Sequence, residues 1–382
     1  MPPANLAAPL VKKTPRIILH SEASVGWGGQ EIRIFSEMHA MHQRGHIMHL
    51  AAPSNSRIFL ETRKARFEPW ELNPKRILFP FSILNLTRAM RRHKVQVVNP
   101  HSSADGWIAG IAGRLARVPL IIRSRHIDVD YPNWRTSRIA YSTLPHHVIT
   151  TSSRISKGLV EELRLSPECV ECIPTGIDLE VFQANTTGTL HQELGLGPGV
   201  PLVGMVSVIR SWKGHDFFIE AAKELSEPFP NAHFVVAGGG NDRRLEKIKR
   251  WIREAGLEDR FHLLGHRTDI PNLLASYTVL VLPSTGHEGI PQIVLQSHAM
   301  QCPVIGTTVG GIPEVVEDGE TGLLVPPMNP HAIANAIGRL LRDEPLRIAM
   351  AKAGRKFVEG GHSVNHMCQQ LEELYYKYLS GR

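Results

Sequence analysis

Cysteine is scarce in this chain of 382 residues, which has only Cys169, Cys172, Cys302 and Cys368. Four cysteines are too few for a disulfide framework, so a reducing cytoplasmic environment is expected. Cys169 and Cys172 form a C-x-x-C pair, but neither a second pair nor histidines follow at the spacing of zinc ligands. The pair is therefore interpreted as structural, and the sequence predicts no metal site.

Long apolar runs are also missing. No stretch reaches about 18 apolar residues, so no membrane-spanning helix is predicted. Residues 1–15 lack the apolar core and preceding positive charge of a secretory signal, and residues 2–14 are expected to be a loose lead-in to the first strand. With 42% hydrophobic and 21% charged residues, the chain has the balance of a soluble globular protein, and its length suits two domains.

The formal net charge of +7 is unevenly distributed. Residues 56–94 contain ten lysines and arginines but only three glutamates, with aromatic and apolar side chains between them. Such a stretch is typical of a basic, partly apolar face for an anionic membrane surface, or of the solvated side of ordinary helices. No nucleic-acid-binding motif accompanies the charge, so nucleic acid is not expected as a partner.

Short β-branched runs alternate with helical segments in both halves, which predicts βαβ units and parallel sheets. Strands are predicted at residues 16–20, 47–51, 95–99, 120–123, 147–150, 170–174, 202–208, 233–237, 261–264, 279–282 and 304–307. Residues 183–200 are rich in Gly, Thr and Pro and predict a linker. We therefore expect an α/β protein with domains at residues 1–182 and 201–361 facing a central cleft. A final segment, residues 362–382, is expected to form a helix packing back on the first domain.

Glycine-rich turns follow several predicted strands, where the ligands of open α/β sheets bind. GWGGQE, starting at Gly26, and TVGGIPE, starting at Thr308, offer backbone N–H groups that suit a phosphate. The first lacks the full dinucleotide fingerprint and is equally consistent with a tight turn.

Charged side chains occupy further predicted strand ends. RSWKGH, starting at Arg210, places two cations where a diphosphate would be neutralised, although a plain surface loop has the same pattern. STGHEGIP, starting at Ser284, places Glu288 at the predicted start of a helix that carries Gln296 two turns later. A carboxylate there suits sugar hydroxyls, or it merely complements the helix dipole. His126 follows the strand at 120–123, and His101, Ser102 and Asp105 follow that at 95–99.

Together with PTGID at Pro174 and DGETG at Asp318, the order of these motifs resembles glycosyltransferase family 4. The resemblance covers about residues 16–378. It implies the GT-B fold, retention of anomeric configuration and transfer from a nucleotide sugar, UDP-linked rather than GDP-linked, without a metal or other cofactor. It assigns the donor to the second domain and the acceptor, a glycolipid or polysaccharide, to the first. A cytoplasmic enzyme at the inner membrane face is expected, as in lipopolysaccharide or polysaccharide biosynthesis.

The resemblance also implies roles for individual residues. Lys213, aided by Arg210, would neutralise the departing diphosphate, Glu288 would bind the transferred sugar, and His126 would lie beside it. Apart from the resemblance, the position of His101, Ser102 and Asp105 at another predicted strand end makes them candidates for contacting the acceptor. The remaining donor-binding positions are Gly28, Gly29, Gly289, Ile290, Pro291, Gln292, Gln296, Gly310, Gly311 and Glu314.

Two departures from the family pattern stand out. Gln296 replaces the second glutamate of the Glu-x7-Glu motif, which keeps an acceptor for the ribose but removes the charge. Arg210 also stands nearer to Lys213 than the family's phosphate-binding arginine. A nucleotide-sugar epimerase of the same fold, or a non-catalytic nucleotide- or glycan-binding scaffold, remains as an alternative. The epimerase would act without an acceptor.

Overall fold

The computed structural model describes residues 14–129, 133–286 and 288–379. The lead-in before Thr14, His287 of the Glu288 motif and the last three residues of the predicted C-terminal segment lie outside that range. The chain divides into two compact units. The first comprises the described residues up to Ser124, with Ser142–His146 and the chain from Tyr375. The second comprises Arg125–Tyr141 and His147–Leu374 within the described ranges.

The first sheet has the strand order β3-β2-β1-β4-β5-β6-β7. Its strands are β1 (Ile17–Ser21), β2 (Ile47–Ala52), β3 (Trp70–Glu71), β4 (Val97–Pro100), β5 (Leu120–Arg125), β6 (His147–Thr150) and β7 (Val170–Cys172). The accompanying helices are α1 (Gly29–Gln43), α2 (Arg57–Lys64), α3 (Phe79–Arg92), α4 (Ser103–Ala116), α5 (Trp134–Arg138) and α6 (Ser153–Glu162). Leu19, Val98 and Ile121 are fully or almost fully buried, as expected for strands covered on both faces.

The second sheet has the order β10-β9-β8-β11-β12-β13, and its pairs are parallel. Its strands are β8 (Leu202–Val206), β9 (His233–Ala237), β10 (Phe261–Gly265), β11 (Val279–Leu282), β12 (Val304–Thr307) and β13 (Gly322–Val325). The helices that follow along the chain are α7 (Leu190–Glu193), α8 (His215–Glu224), α9 (Asp242–Ala255), α10 (Ile270–Ser276), α11 (Gln292–Ala299), α12 (Pro330–Arg342), α13 (Glu344–Gly361) and α14 (Val364–Leu379). Apolar side chains from helices and strands, such as Phe218, Phe234 and Ile337, fill its core.

These two parallel sheets confirm the predicted fold class. The predicted strands are all present, with ends that differ by no more than two residues. β3 and β13 were not predicted: β3 has only two residues, and β13 begins at the last glycine of the turn-rich DGETG motif.

Residues 183–200 are not a plain extended connection. Thr189 N–H donates to Asn272 Oδ1 at 2.7 Å, and Leu190, in the short helix α7, is fully buried. Glu193 accepts two hydrogen bonds from Arg267, at 2.6 and 3.0 Å. The segment is therefore fixed on the second unit, because its few apolar and charged side chains find partners that composition did not reveal.

Candidate functional site

The second sheet reverses its strand order between β8 and β11. In open parallel sheets this switch point opens a crevice beyond the carboxyl ends of the strands. The loop after β8 carries Arg210 and Lys213, and the loop after β11 carries Ser284 and Glu288. The fold thus brings together two motifs that lie more than 70 residues apart in the sequence.

Backbone contacts hold these two loops against each other. Thr285 N–H donates to the Trp212 carbonyl at 2.8 Å. Gly214 has a φ of +71°, and a Cβ at this position would lie 1.9 Å from the Pro283 carbonyl oxygen. Only glycine satisfies both conditions, so Gly214 fixes the position of the neighbouring Lys213.

An ion pair joins the two loops at this switch point. Lys213 Nζ lies 2.6 Å from Glu288 Oε1, and the two side chains are 17% and 7% exposed. Ser284 Oγ donates to the same oxygen at 2.5 Å, while the Ser284 carbonyl accepts from Thr307 Oγ1 at 2.6 Å. A buried carboxylate and a partly buried ammonium are therefore presented together, on rigid supports, to whatever enters the crevice.

Glu288 does not occupy the helix start that the sequence predicted. Helix α11 begins only at Gln292, with Pro291 as its N-cap, so Glu288 belongs to the preceding loop. The proline sets extended backbone there, and helix begins after it. Gln296 lies half-buried on α11, and its relation to Glu288 is not that of two residues on one helix face.

The glycine pair Gly310 and Gly311, predicted as a phosphate or sugar contact, packs against the backbone of Glu288 and Gly289. Gly310 has a φ of +57°, and a Cβ there would lie 2.1 Å from the Glu288 carbonyl oxygen. Gly311 N–H donates to that same oxygen at 3.2 Å. A Cβ at Gly289 would lie 2.2 Å from the His126 carbonyl oxygen, so His126 directly adjoins the loop. The His126 backbone therefore lies against the loop that carries Glu288.

Glu314, which was expected to contact the donor, is hydrogen-bonded to the start of a helix. Its two carboxylate oxygens accept hydrogen bonds from the backbone N–H groups of Ser153, at 2.7 Å, and Arg154, at 3.1 Å. These amides open helix α6. The side chain is therefore engaged with protein groups at both oxygens.

Two further residues of the RSWKGH motif, Arg210 and His215, lie near Lys213 in the sequence. Arg210 is exposed, and its guanidinium lies 5.2 Å from the ring centre of Trp212. His215, which the sequence analysis did not single out, is buried in the first turn of α8. Burial, reinforced by the Lys213 charge, lowers the pKa of His215 to about 4, so it is neutral at physiological pH. A histidine within two residues of Lys213 in the RSWKGH motif was the available signal.

The first sheet has its own switch point, between β1 and β4, and the remaining predicted residues follow these strands. Gly28 is the N-cap of α1, and its N–H donates to Glu31 Oε2 at 2.8 Å, so part of the predicted anion cradle is used by a capping box. Gly29 is the first residue of that helix.

Asp105 is fully buried and already bonded. Its carboxylate accepts from His101 N–H at 2.9 Å, from Ser102 N–H at 3.0 Å and from Ser21 Oγ at 3.0 Å. Ser102 Oγ donates to it as well. Burial raises the pKa of Asp105, while Arg123 and these hydrogen bonds oppose the rise. The carboxylate caps α4 and joins it to β1, and it has little capacity left for an acceptor.

A chain of buried ionisable groups, not foreseen from the sequence, reaches His101. His20 Nδ1 lies 2.8 Å from His101 Nε2, and His20 Nε2 lies 3.5 Å from Glu37 Oε1. Burial, with a contribution from Arg33, lowers the pKa of His20 to about 3. Burial raises the pKa of Glu37 to about 7 against the pull of Arg33. Near neutral pH, His20 is therefore uncharged and fixes the orientation of His101.

Comparison with known proteins identifies the class. Residues 187–357 match the family described as Glycosyl transferases group 1, and residues 27–181 match Glycosyltransferase Family 4. The chain belongs to glycosyltransferase family 4. It is accordingly a glycosyltransferase, and both matched regions contain parts of the site described above.

Individual relatives agree with this assignment. The chain is 29% identical, over 77% of its length and 78% of the other chain, to the UDP-Gal:alpha-D-GlcNAc-diphosphoundecaprenol alpha-1,3-galactosyltransferase of Escherichia coli. It is 26% identical to the D-inositol 3-phosphate glycosyltransferase of Corynebacterium glutamicum, over 74% of its own length and 72% of the other's. Its fold is similar to that of a glycosyltransferase from Rickettsia africae, with a TM-score of 0.86 and 22% identity over 96% and 100% of the two chains.

A further solved structure was determined with ligands. An Anabaena protein in complex with UDP and glucose has a TM-score of 0.83 to this chain, at 19% identity over 95% of this chain and all of the other. At that identity the likeness supports the fold only. The GT-B architecture expected from the motif order is thereby confirmed.

Within residues 14–129, 133–286 and 288–379, none of the helices combines the length and the apolarity that a bilayer crossing requires. The described side chains also include no group of three or more His, Cys, Asp or Glu residues placed to hold a metal ion.

Proposed function

We propose that this glycosyltransferase moves a hexose from a UDP-linked sugar, with retention of configuration, to a lipid-linked or polysaccharide acceptor. The observation that carries the proposal is the Lys213–Glu288 pair at the switch point of the second sheet. A cation for the leaving diphosphate and a carboxylate for sugar hydroxyls meet there on glycine-fixed loops. The UDP-linked donor is supported by the name of the Escherichia coli relative, and the lipid-linked acceptor by the same name.

Charge stabilisation by side chains can replace a metal in this reaction. Lys213 provides a positive charge within the crevice, and Arg210 provides a second one at its exposed edge. As the sugar–phosphate bond breaks, negative charge grows on the diphosphate, and preorganised cations stabilise it more than they stabilise the bound donor. Backbone N–H groups of Gly289, Ile290 and Gly310 lie on loops at the same edge of the sheet and would hold sugar and phosphate oxygens.

In the proposed retaining transfer, the acceptor attacks from the face that the diphosphate leaves. A departing phosphate oxygen takes the acceptor proton, which accounts for one carboxylate in the crevice where glycosidases use two. His126, adjoining Gly289, would orient the sugar or face its developing positive charge. The Gln296 side-chain carbonyl would accept a hydrogen bond from one ribose hydroxyl.

A nucleotide-binding screen tests the proposal. UDP, GDP, ADP and their common sugars are added to the purified protein, and thermal stability and binding heat are recorded. We expect stabilisation by UDP and UDP-sugars, weakened at least tenfold in Kd by Lys213→Met, because an ion pair with a diphosphate is lost. The matched control is Lys223→Met, an exposed lysine on α8. Preference for GDP would overturn the donor assignment, and absence of nucleotide binding would overturn the proposal.

We further propose that the basic stretch of the first unit contacts an anionic membrane that carries the acceptor. Ile77, just before α3, is 84% exposed, and Phe81 and Leu84 on that helix are 66% and 47% exposed. Arg88 and Arg91 continue the face of α3 that carries Phe81 and Leu84. Exposed apolar side chains flanked by cations suit the interface of a bilayer with anionic lipids. These exposures favour a membrane face over the merely solvated helix surface that composition left open.

Vesicle sedimentation tests the membrane face. Binding to vesicles of phosphatidylcholine with about one-third phosphatidylglycerol should fall when Phe81→Asp is introduced, and it should fall with added salt. Ile348→Asp, at an exposed apolar position of α13, is the control. Equal binding by both variants, or equal binding to vesicles without anionic lipid, would refute this surface.

A further inference from the structure

We infer that Glu314 is a positioning residue, which acts through His126 and makes no contact with the donor. The inference rests on the proposed role of His126 and departs from the donor-binding role that the motif order implied for Glu314. It follows from a closed series of contacts within the second unit.

The first contact in the series is the capping of α6 by a carboxylate from a distant part of the chain. Glu314 Oε2 accepts a hydrogen bond from Ser153 N–H, and Glu314 Oε1 accepts one from Arg154 N–H. Glu314 lies about 160 positions after these two residues in the sequence. Ser152 Oγ accepts from the next amide, Ile155 N–H, at 3.2 Å. Three amides of the first turn are therefore satisfied, two of them by one charged group that also complements the helix dipole. Each oxygen of this carboxylate therefore already accepts a hydrogen bond from the protein backbone.

The second contact connects the start of α6 to His126. Thr151, immediately before the N-cap, donates its hydroxyl to the His126 carbonyl at 3.2 Å, and its N–H donates to the Arg125 carbonyl at 3.3 Å. Arg154 Nε lies 2.6 Å from Asp128 Oδ2. The backbone carbonyls of Arg125 and His126 and the side chain of Asp128 thus all contact the turn that Glu314 caps.

The third contact returns to the ion pair. The His126 carbonyl oxygen lies against Gly289, and Glu288 is bonded through its carbonyl to Gly311 N–H. Glu314 N–H in turn donates to the Gly311 carbonyl at 3.2 Å. The loop after β12 therefore holds Glu288 through Gly311 and His126 through Glu314. The conformation of this loop therefore sets the distance between His126 and the Glu288 carboxylate.

This geometry predicts a particular pattern of defects. Glu314→Ala should lower the rate of sugar transfer by about 10- to 100-fold, since small misplacements of a reacting group have effects of that size. The Kd for UDP should remain within about twofold, because Glu314 does not contact the nucleotide. Glu314→Gln keeps one acceptor oxygen and should be intermediate. Glu317→Ala, an exposed glutamate just beyond the same turn, is the matched control.

A double-mutant cycle with His126→Ala separates the possibilities. If Glu314 acts through His126, the double variant should be no slower than His126→Ala alone. Multiplying defects, or a weakened Kd for UDP in Glu314→Ala, would overturn the inference and return Glu314 to the donor pocket. An unchanged rate in His126→Ala would instead contradict the proposed function, because the histidine itself would then have no role.

Hydrogen exchange gives a readout independent of turnover. In Glu314→Ala the amides of Ser153 and Arg154 should lose protection, and the segment from His126 to Asp128 should exchange faster, while the core strand β11 should not change. If Glu314→Ala fails to fold, the same comparison is made with Glu314→Gln. Unaltered exchange at His126 to Asp128 would refute the coupling even if activity fell.

Discussion

Glu288→Gln should change nucleotide binding and sugar transfer in opposite directions. In the ligand-free protein the Glu288 carboxylate already neutralises Lys213 at 2.6 Å. A diphosphate that enters the crevice must compete for this ammonium and also approach the carboxylate. Glutamine has the same shape, still accepts from Ser284 Oγ, and removes both obstacles.

The size of the gain follows from Coulomb's law. For a carboxylate and a phosphate about 6 Å apart, the repulsion is about 0.7 kcal/mol in water and about 3 kcal/mol at an effective dielectric constant of 20. Allowing about 1 kcal/mol for a site open to solvent on one side, UDP should bind about fivefold tighter to Glu288→Gln. Transfer should slow by about 100-fold or more, because a charged hydrogen-bond partner of the transition state is lost.

Two assays on the same preparation decide the matter. Isothermal calorimetry with UDP gives the Kd, and initial rates with the donor selected by the binding screen give the turnover. Glu317→Gln, at an exposed glutamate, should change neither. Weaker UDP binding by Glu288→Gln would refute the competition argument, and unchanged turnover would refute the assignment of Glu288 to the sugar.

Three further predictions concern packing and pH. Gly310→Ala should lower the free energy of unfolding in urea by about 2 kcal/mol or more and abolish sugar transfer. The φ of Gly310 is +57°, and an added Cβ would meet the Glu288 carbonyl oxygen. A stable, active variant would contradict this prediction. The His215 pKa of about 4 lies below the 6.5 of the unfolded chain, so the unfolded state binds more protons between these values and stability falls as pH is lowered through them. Between pH 7 and pH 5, the free energy of unfolding in urea should therefore fall by about 2 kcal/mol less in His215→Phe than in the wild type. An equal fall in both proteins would count against this prediction. Arg267→Met should lower the free energy of unfolding by about 1–2 kcal/mol and increase proteolysis between residues 183 and 200. The reason is that the partly buried Arg267 guanidinium forms ion pairs with Glu193 and Asp269. Unchanged cleavage would show that other contacts hold this segment.

The sequence alone determined the fold class because strand and helix signals are local. Apolar runs such as 279–282 and 304–307 need no partner to be recognised as buried strands, and the structure has them at those positions. The glycine motifs were found for the same reason, since a turn between strand and helix leaves its mark on adjacent residues. The order of motifs along the chain then indicated the family, which the family matches confirmed.

The pairing of side chains was decided only by the tertiary structure. Nothing local connects Lys213 to Glu288, or Glu314 to Ser153, because the strand order that joins them is a property of the whole sheet. The position of Glu288 in a loop depended on where Pro291 allowed α11 to begin. The buried His20–His101 contact depended likewise on strands β1 and β4 becoming neighbours. Sequence patterns thus predicted which groups the chain offers, while packing decided which of them meet and which, like Asp105, are already satisfied within the protein.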